Sequence, residues 1–198
     1  MAADPFTLRS VSGLPTSPGL LSESTLLIID AQVEYTGGAL ELAGVDAAID
    51  ELVAVLTRAR SAGCPIVHVA HLGAPGGAFD PDAGGRIVDV VAPVDGETVV
   101  TKNLPNAFAG TDLAENLRSR GDRPLVIGGF MTHMCVSATA RAATDLGFDS
   151  VVLSDATATR ALPSASGSGT VPAAALHEAA LAALADRFSV VAPAAALG

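Results

Sequence analysis

The segment Thr25–Ile29, TLLII, limits what this chain can fold into more than any other stretch. It is a strand-length run with no polar alternation, so both of its faces must be covered by other parts of the molecule. Similar runs recur at Ile66–Ala70, Thr98–Val100, Leu125–Ile127, Ser150–Leu153 and Phe188–Val191. Helical spacing fills the intervals. Val45, Ile49, Leu52, Val53 and Leu56 fall on one helical face, and that pattern stops near Gly63, ahead of Pro65. Further helices are predicted from Thr111 or Asp112 through Leu117, from the Cys135 region to Gly147, and from Pro172 through Leu184. Doubly apolar strands alternating with helices predict an α/β protein: three layers, with a six-stranded, mostly parallel sheet carrying helices on both faces. The length suits a single domain over residues 1–198. Residues 1–23, with their prolines, glycines and serines, read as an extended lead-in, and Ser164–Thr170 as a flexible loop.

Charge and cysteine usage exclude several classes. The net charge of −10 argues against nucleic acid and anionic membrane surfaces as partners. Only two cysteines are present, Cys64 and Cys135, which leaves neither a zinc-type spacing nor a disulfide scaffold. The N-terminus has no basic patch leading into an apolar run, and no apolar segment approaches the ~20 residues of a membrane span. The expectation is a soluble, cytoplasmic protein. Its expected partners are a small-molecule substrate and further copies of the chain, as a dimer or tetramer, with no nucleic acid and no membrane.

In open parallel sheets, ligands gather at the carboxyl ends of the strands. Asp30 and Gln32 follow the first run, His71 the second, Lys102 the third and Asp155 the fifth. The fourth run, Leu125–Ile127, meets Gly128-Gly129, read as a tight turn, and then a helix whose first turn holds Cys135. Free N–H groups and the helix dipole at such a position favour thiolate over thiol. A carboxylate, a cation and a thiol at three strand ends form a candidate base–cation–nucleophile set, Asp30, Lys102 and Cys135. Each residue alone has an ordinary reading: Asp30 as a turn former, Lys102 as a solvated side chain, Cys135 as packing.

Three separated segments, LLIIDAQVEY, TKNLPNAFAGTDL and VIGGFMTHMCVSATARAATDLGF, resemble the isochorismatase-like cysteine hydrolases. The likeness runs over about residues 24–192, with the motifs in the expected order. It implies a six-stranded parallel sheet with helices on both sides and a catalytic triad of Asp30, Lys102 and Cys135. It also implies a cis peptide between Phe130 and Met131, with the Met131 and Cys135 amides forming an oxyanion hole. Nicotinamidases in that superfamily carry an Asp-x-His metal motif after the first strand. Here Val33–Cys64 holds no histidine, so the expectation is no metal and no cofactor. His68 and His71, three apart on a strand, point to opposite faces and do not suit one ion.

The remaining candidates are pocket walls. Gln32, Tyr35, His71, Leu104, Phe108, Phe130 and His133 are taken as substrate-binding, with Phe79 as a further wall. His68 reads as core and His177 as ordinary surface. A cysteine at the nucleophile position favours attack on the carbonyl of a small amide or lactam, through a thioester. Vinyl-ether hydrolysis releasing pyruvate is the alternative, with Asp30 acting as an acid. A catalytically silent binding module on the same fold is the reading from another class.

Overall fold

The computed structural model describes residues 5–198. Six strands form one parallel sheet: β1 (Thr25–Ile29), β2 (Ile66–His71), β3 (Thr98–Lys102), β4 (Leu125–Phe130), β5 (Ser150–Ala158) and β8 (Val190–Ala192), in the order β3-β2-β1-β4-β5-β8. β6 (Leu162–Pro163) and β7 (Thr170–Val171) make a separate antiparallel pair that closes the Ser164–Thr170 segment. The helices are α1 (Leu8–Val11), α2 (Glu34–Gly37), α3 (Val45–Ser61), α4 (Leu113–Arg118), α5 (Ser137–Asp145) and α6 (Ala173–Arg187). No helix among the described residues is long and apolar enough to cross a membrane.

The unbroken apolar character of β1 has the consequence read from it. Leu26 and Ile28 face α3, where Ala48, Ile49, Leu52, Val55 and Leu56 form one core. Leu27 and Ile29 face the opposite side, against Leu113 and Leu117 of α4, Ala140 and Ala143 of α5, and Leu181 and Leu184 of α6. These four β1 side chains are at most 1% exposed, and burying each stabilises the fold by about 1.5–3 kcal/mol. Strand order reverses direction between β1 and β4, which places the topological switch at the ends of these two strands.

Several elements differ from the sequence reading, each for a local reason. Gly128 and Gly129 do not turn the chain; they continue β4, pairing with Ile28 and Ile29. Gly129 sits at φ +112°, and a Cβ there would overlap the Ile29 carbonyl, so the residue is glycine because two backbones touch. β5 extends past Leu153 to Ala158 through a large bulge. It takes five residue steps, Val152 to Thr157, while β4 takes two, Ile127 to Gly129. The lead-in is not simply extended. Thr7 caps α1 by accepting from the Ser10 N–H, and Arg9 is buried with its Nε donating to the Pro15 carbonyl 2.5 Å away. The first four residues of that lead-in lie outside the described part.

Glu97, just before β3, ties α3 to β2. It accepts from Arg60 Nε at 2.7 Å, from His68 Nε2 at 2.8 Å and from the Val94 N–H at 3.1 Å. Burial holds His68 below its ordinary pKa, so the His68 contact is a neutral N–H donation and not an ion pair. Burial alone would raise Glu97, but the Arg60, His68 and Val94 donors outweigh it and pull the carboxyl down to about 2. A depressed carboxyl adds stability above its unfolded pKa, and that increment is lost as pH falls through the folded value. Glu97→Gln should therefore cost about 2 kcal/mol at pH 7. In urea titrations the difference between variant and parent should shrink between pH 4.5 and about 2; a difference independent of pH would show that the charge contributes nothing.

Candidate active site

β1 ends at Asp30, which adopts φ +49°, a left-handed conformation that Asp tolerates better than most residues. Its N–H donates to the Val69 carbonyl of β2 at 2.8 Å, and its side chain is sealed from solvent. β3 ends at Lys102, in register with His71 at the end of β2. The Lys102 ammonium is also sealed, and its Nζ lies 2.7 Å from Asp30 Oδ2, 3.4 Å from Cys135 Sγ and 3.5 Å from His71 Nδ1. The ammonium thus hydrogen-bonds to the sulfur and the imidazole and pairs by charge with the carboxylate. Burial, followed by the charge of Lys102, holds His71 below its usual pKa and leaves Nδ1 a lone pair to accept with. The Asp30–Lys102 contact is a close ion pair rather than an aligned hydrogen bond, and Asp30 Oδ1 has no partner among the described residues.

β4 delivers the thiol. Beyond the cis peptide between Phe130 and Met131, residues Thr132–Val136 form a single π-helical turn that runs into α5. Cys135 therefore sits in a wide turn, not in the first turn of a regular helix. The Met131 carbonyl accepts from the N–H groups of Met134 and Val136, while the Met131 N–H donates to no acceptor among the described residues. The expectation of a thiolate at rest is corrected here. Burial first, then the Asp30 carboxylate, push the Cys135 thiol up to about 12 against the opposing pull of Lys102. Burial likewise raises Asp30, with Lys102 the main opposing influence. One carboxylate, one ammonium and one thiol sum to zero. Passing the proton from sulfur to Asp30 leaves that sum unchanged.

The thiol opens on a cavity of about 160 Å³ lined by Tyr35, His71, Phe79, Pro105, Met131, Met134 and Cys135. Phe79 meets Tyr35 and His71 edge to face, with ring centroids 5.4 and 5.0 Å away. Of the walls named from sequence, Tyr35, His71 and Phe79 line this cavity; the others do not. Gln32 is fully buried and its carboxamide is consumed by the chain, with Nε2 donating to the His71 and Gly85 carbonyls and Oε1 accepting from the His71 N–H. Phe130 is core, standing behind Tyr35. Phe108 stacks on Phe148, away from the cavity, and Leu104 is 52% exposed on the loop after β3. His133 turns aside to Thr159, with Nδ1 and Oγ1 2.5 Å apart. Pro105 and Met134 were missed, because neither type marks a pocket by itself. His177, read as surface, is bonded on both ring nitrogens, to Thr132 Oγ1 and to the Ser154 carbonyl.

A small cavity at the switch point of a doubly covered parallel sheet, with a buried thiol in its wall and a sealed ion pair in contact with that thiol, defines a hydrolase of the six-stranded α/β kind. The chain belongs to the isochorismatase family, whose domain model matches residues 24–196. It is similar to an isochorismatase of Pseudomonas putida of known crystal structure, with a TM-score of 0.93 and 42% identity over 98% of this chain and 100% of that one. It is 38% identical to a secreted isochorismatase effector of Verticillium dahliae over 93% of this chain and 95% of that protein. It is also 38% identical to a streptothricin hydrolase of Streptomyces noursei, over 87% of this chain and 63% of that protein. The chain is a hydrolase, which displaces the silent-module reading.

Removing the ammonium should be felt at both neighbours. In a Cys64→Ser background, Lys102→Met should slow iodoacetamide alkylation of Cys135 at pH 8 by at least about tenfold, one pKa unit of thiolate. Asp30 then loses its counter-ion and takes up a proton to stay buried. Its raised folded pKa means that the variant's stability is intact below the unfolded value of about 3.9 and is lost as pH rises toward the folded one. Equal alkylation rates in parent and variant would detach Lys102 from the thiol.

Proposed function

We propose that the protein hydrolyses the C–N bond of a small, uncharged amide or lactam through a thioester on Cys135. The observation that carries this reading is Lys102 Nζ standing 2.7 Å from Asp30 and 3.4 Å from the Sγ of Cys135, which lines the cavity. Asp30 takes the thiol proton as sulfur attacks the substrate carbonyl, and Lys102 stays charged beside both. The carbonyl oxygen, now an oxyanion, accepts from the Met131 and Cys135 N–H groups. Collapse breaks the C–N bond, and the departing nitrogen takes the proton from Asp30. A water then attacks the thioester with Asp30 as base, and Asp30 returns the proton to sulfur as the acid leaves.

Size and lining support the substrate class. Drug-sized sites run to about 300–1,000 Å³, and this cavity of about 160 Å³ holds roughly five waters' worth of liquid volume. No lining residue carries a full charge, which disfavours the dicarboxylate that vinyl-ether chemistry would use. No metal is assigned a role: His68 is engaged by Glu97 and His71 by Lys102, so the two histidines do not converge.

A panel of small aliphatic and aromatic amides, lactams and isochorismate, followed by ammonia release, ring opening or pyruvate, tests the class. Cys135→Ala should abolish turnover of the amide found while leaving the folded spectrum intact. The acid limb of kcat/KM should lie above the ordinary carboxylate value of about 3.9, because Asp30 must be ionised to accept the proton. Pyruvate release with undiminished turnover in Cys135→Ala would sink the covalent reading.

Phe79 should set the upper size limit, since its ring closes the cavity over Tyr35 and His71. Phe79→Ala should raise kcat/KM for a longer acyl chain, relative to the shortest one turned over, by about tenfold. An unchanged chain-length profile would mean that the loop carrying Phe79 does not limit the substrate.

A further inference from the structure

We infer that His177 is a positioning residue of the nucleophile turn, acting on Cys135 through Thr132 and touching no substrate. The inference rests on the cysteine reading above. Two irregular backbones lie side by side at the site, the π turn after β4 and the bulge in β5. A bulge takes residues out of the ladder and leaves their polar groups in need of partners. Ser154 lies within that bulge, and its carbonyl accepts from His177 Nε2, 3.1 Å away.

That contact settles which ring nitrogen carries the proton. A carbonyl can only accept, so Nε2 must be the N–H, and in the neutral ring Nδ1 is then a bare lone pair. Nδ1 faces Thr132 Oγ1 at 2.9 Å, so the hydroxyl must donate to it. Thr132 is fully buried and follows Met131 directly, opening the turn that holds Cys135. Its hydroxyl therefore pins the segment between Met131 and Cys135 to α6. Among the described residues, the front of the turn has one other side-chain tie, His133 to Thr159, and Thr159 lines the same surface cavity as His177. With the Thr132 tie released, the turn would keep its backbone bonds to the Met131 carbonyl but lose its anchor to α6 and with it the fixed spacing of sulfur and oxyanion donors. Displacements of about 1 Å at reacting atoms slow chemistry by roughly a hundredfold without changing how substrate is held.

The two ring nitrogens can be replaced separately. Asn at 177 puts an amide oxygen near the place of Nδ1 and keeps an acceptor for Thr132. Gln reaches the place of Nε2 and keeps only the donor to Ser154. Acylation of the full-length protein by p-nitrophenyl acetate, read as the burst of p-nitrophenolate, measures the first half-reaction without a known natural substrate. His177→Gln and Thr132→Val should each slow the burst by about 10–100-fold with little change in the half-saturating ester concentration. His177→Asn should stay within about threefold of the parent. The His177→Gln/Thr132→Val double variant should be no slower than the slower single one, because both changes break the same bond. A burst in His177→Gln as fast as the parent's, an Asn variant as slow as the Gln variant, or multiplying losses in the double variant would each overturn the inference. Should the Gln variant not fold, Thr132→Val against Thr132→Ser tests the same bond from the other side. Cys135→Ala in the same assay separates the two levels. A burst that survives there removes the cysteine reading itself, whereas one lost there but intact in His177→Gln removes only the role of His177.

Discussion

An ammonium sealed from water between a carboxylate and a thiol is the interaction on which the rest of this structure depends. Taking an ion from water into a protein interior costs several kcal/mol, and the site carries two. The 2.7 Å approach of Lys102 to Asp30 offsets that penalty only while both partners are present. The three side chains must also arrive from different strands, because one strand cannot aim three consecutive side chains at one point. β1 and β3 flank β2, and β4 adjoins β1 on the other side, so their carboxyl ends converge across the switch point. The order of strands in the sheet and the neutrality of the site are thus one constraint seen at two scales.

Bringing β4 close enough imposes the local irregularities. Gly129 removes the Cβ that would hold β4 away from the Ile29 carbonyl, next to Asp30. β5 cannot follow β4 through that approach in normal register and bulges between Leu153 and Ala156. Each irregularity leaves backbone groups that regular ladders would have used. In β5 the Ser154 carbonyl is answered by His177, and the Asp155 carboxylate, turned out of the ladder, accepts from the Ala194 N–H beyond β8.

How much of this was legible in the sequence depends on whether the signal is local. β1 and α3 were readable because their apolar residues state which faces are buried. Asp30 and Lys102 could be nominated because each stands at the end of such a run, and Cys135 because it opens the helix that follows one. Gly128-Gly129 misled because the reason for glycine there is a contact with Ile29, a hundred residues away in sequence, and not a turn. The polar end of β5, SDATA, hid a strand because a bulge suspends alternation. Gln32, Leu104, Phe108 and His133 stand close to the site in sequence, but proximity along the chain does not give the direction of a side chain. His177 was lost in an Ala-rich helix with little amphipathic contrast. The state of the thiol was not legible at all. Helix position argues for thiolate, and burial with the nearby Asp30 carboxylate, both tertiary features, reverses the sign.

The raised thiol changes how the proposed chemistry must be understood. A resting thiolate beside Asp30 would place two negative charges against one ammonium in a buried site. The thiol avoids this, and along the proposed path the negative charge is only relocated. It sits on Asp30 at rest, on the substrate oxygen once sulfur has attacked, and on Asp30 again after the C–N bond breaks. At no stage does Lys102 face more than one anion, so no step requires a new charge to be desolvated. A substrate bearing its own carboxylate would break that rule on entry, since Tyr35, Phe79, Pro105, Met131 and Met134 offer it no cation and His71 is held neutral. On the proposed path, the electrostatics that keep Cys135 protonated would therefore also select against charged substrates, and an uncharged amide would leave the balance intact.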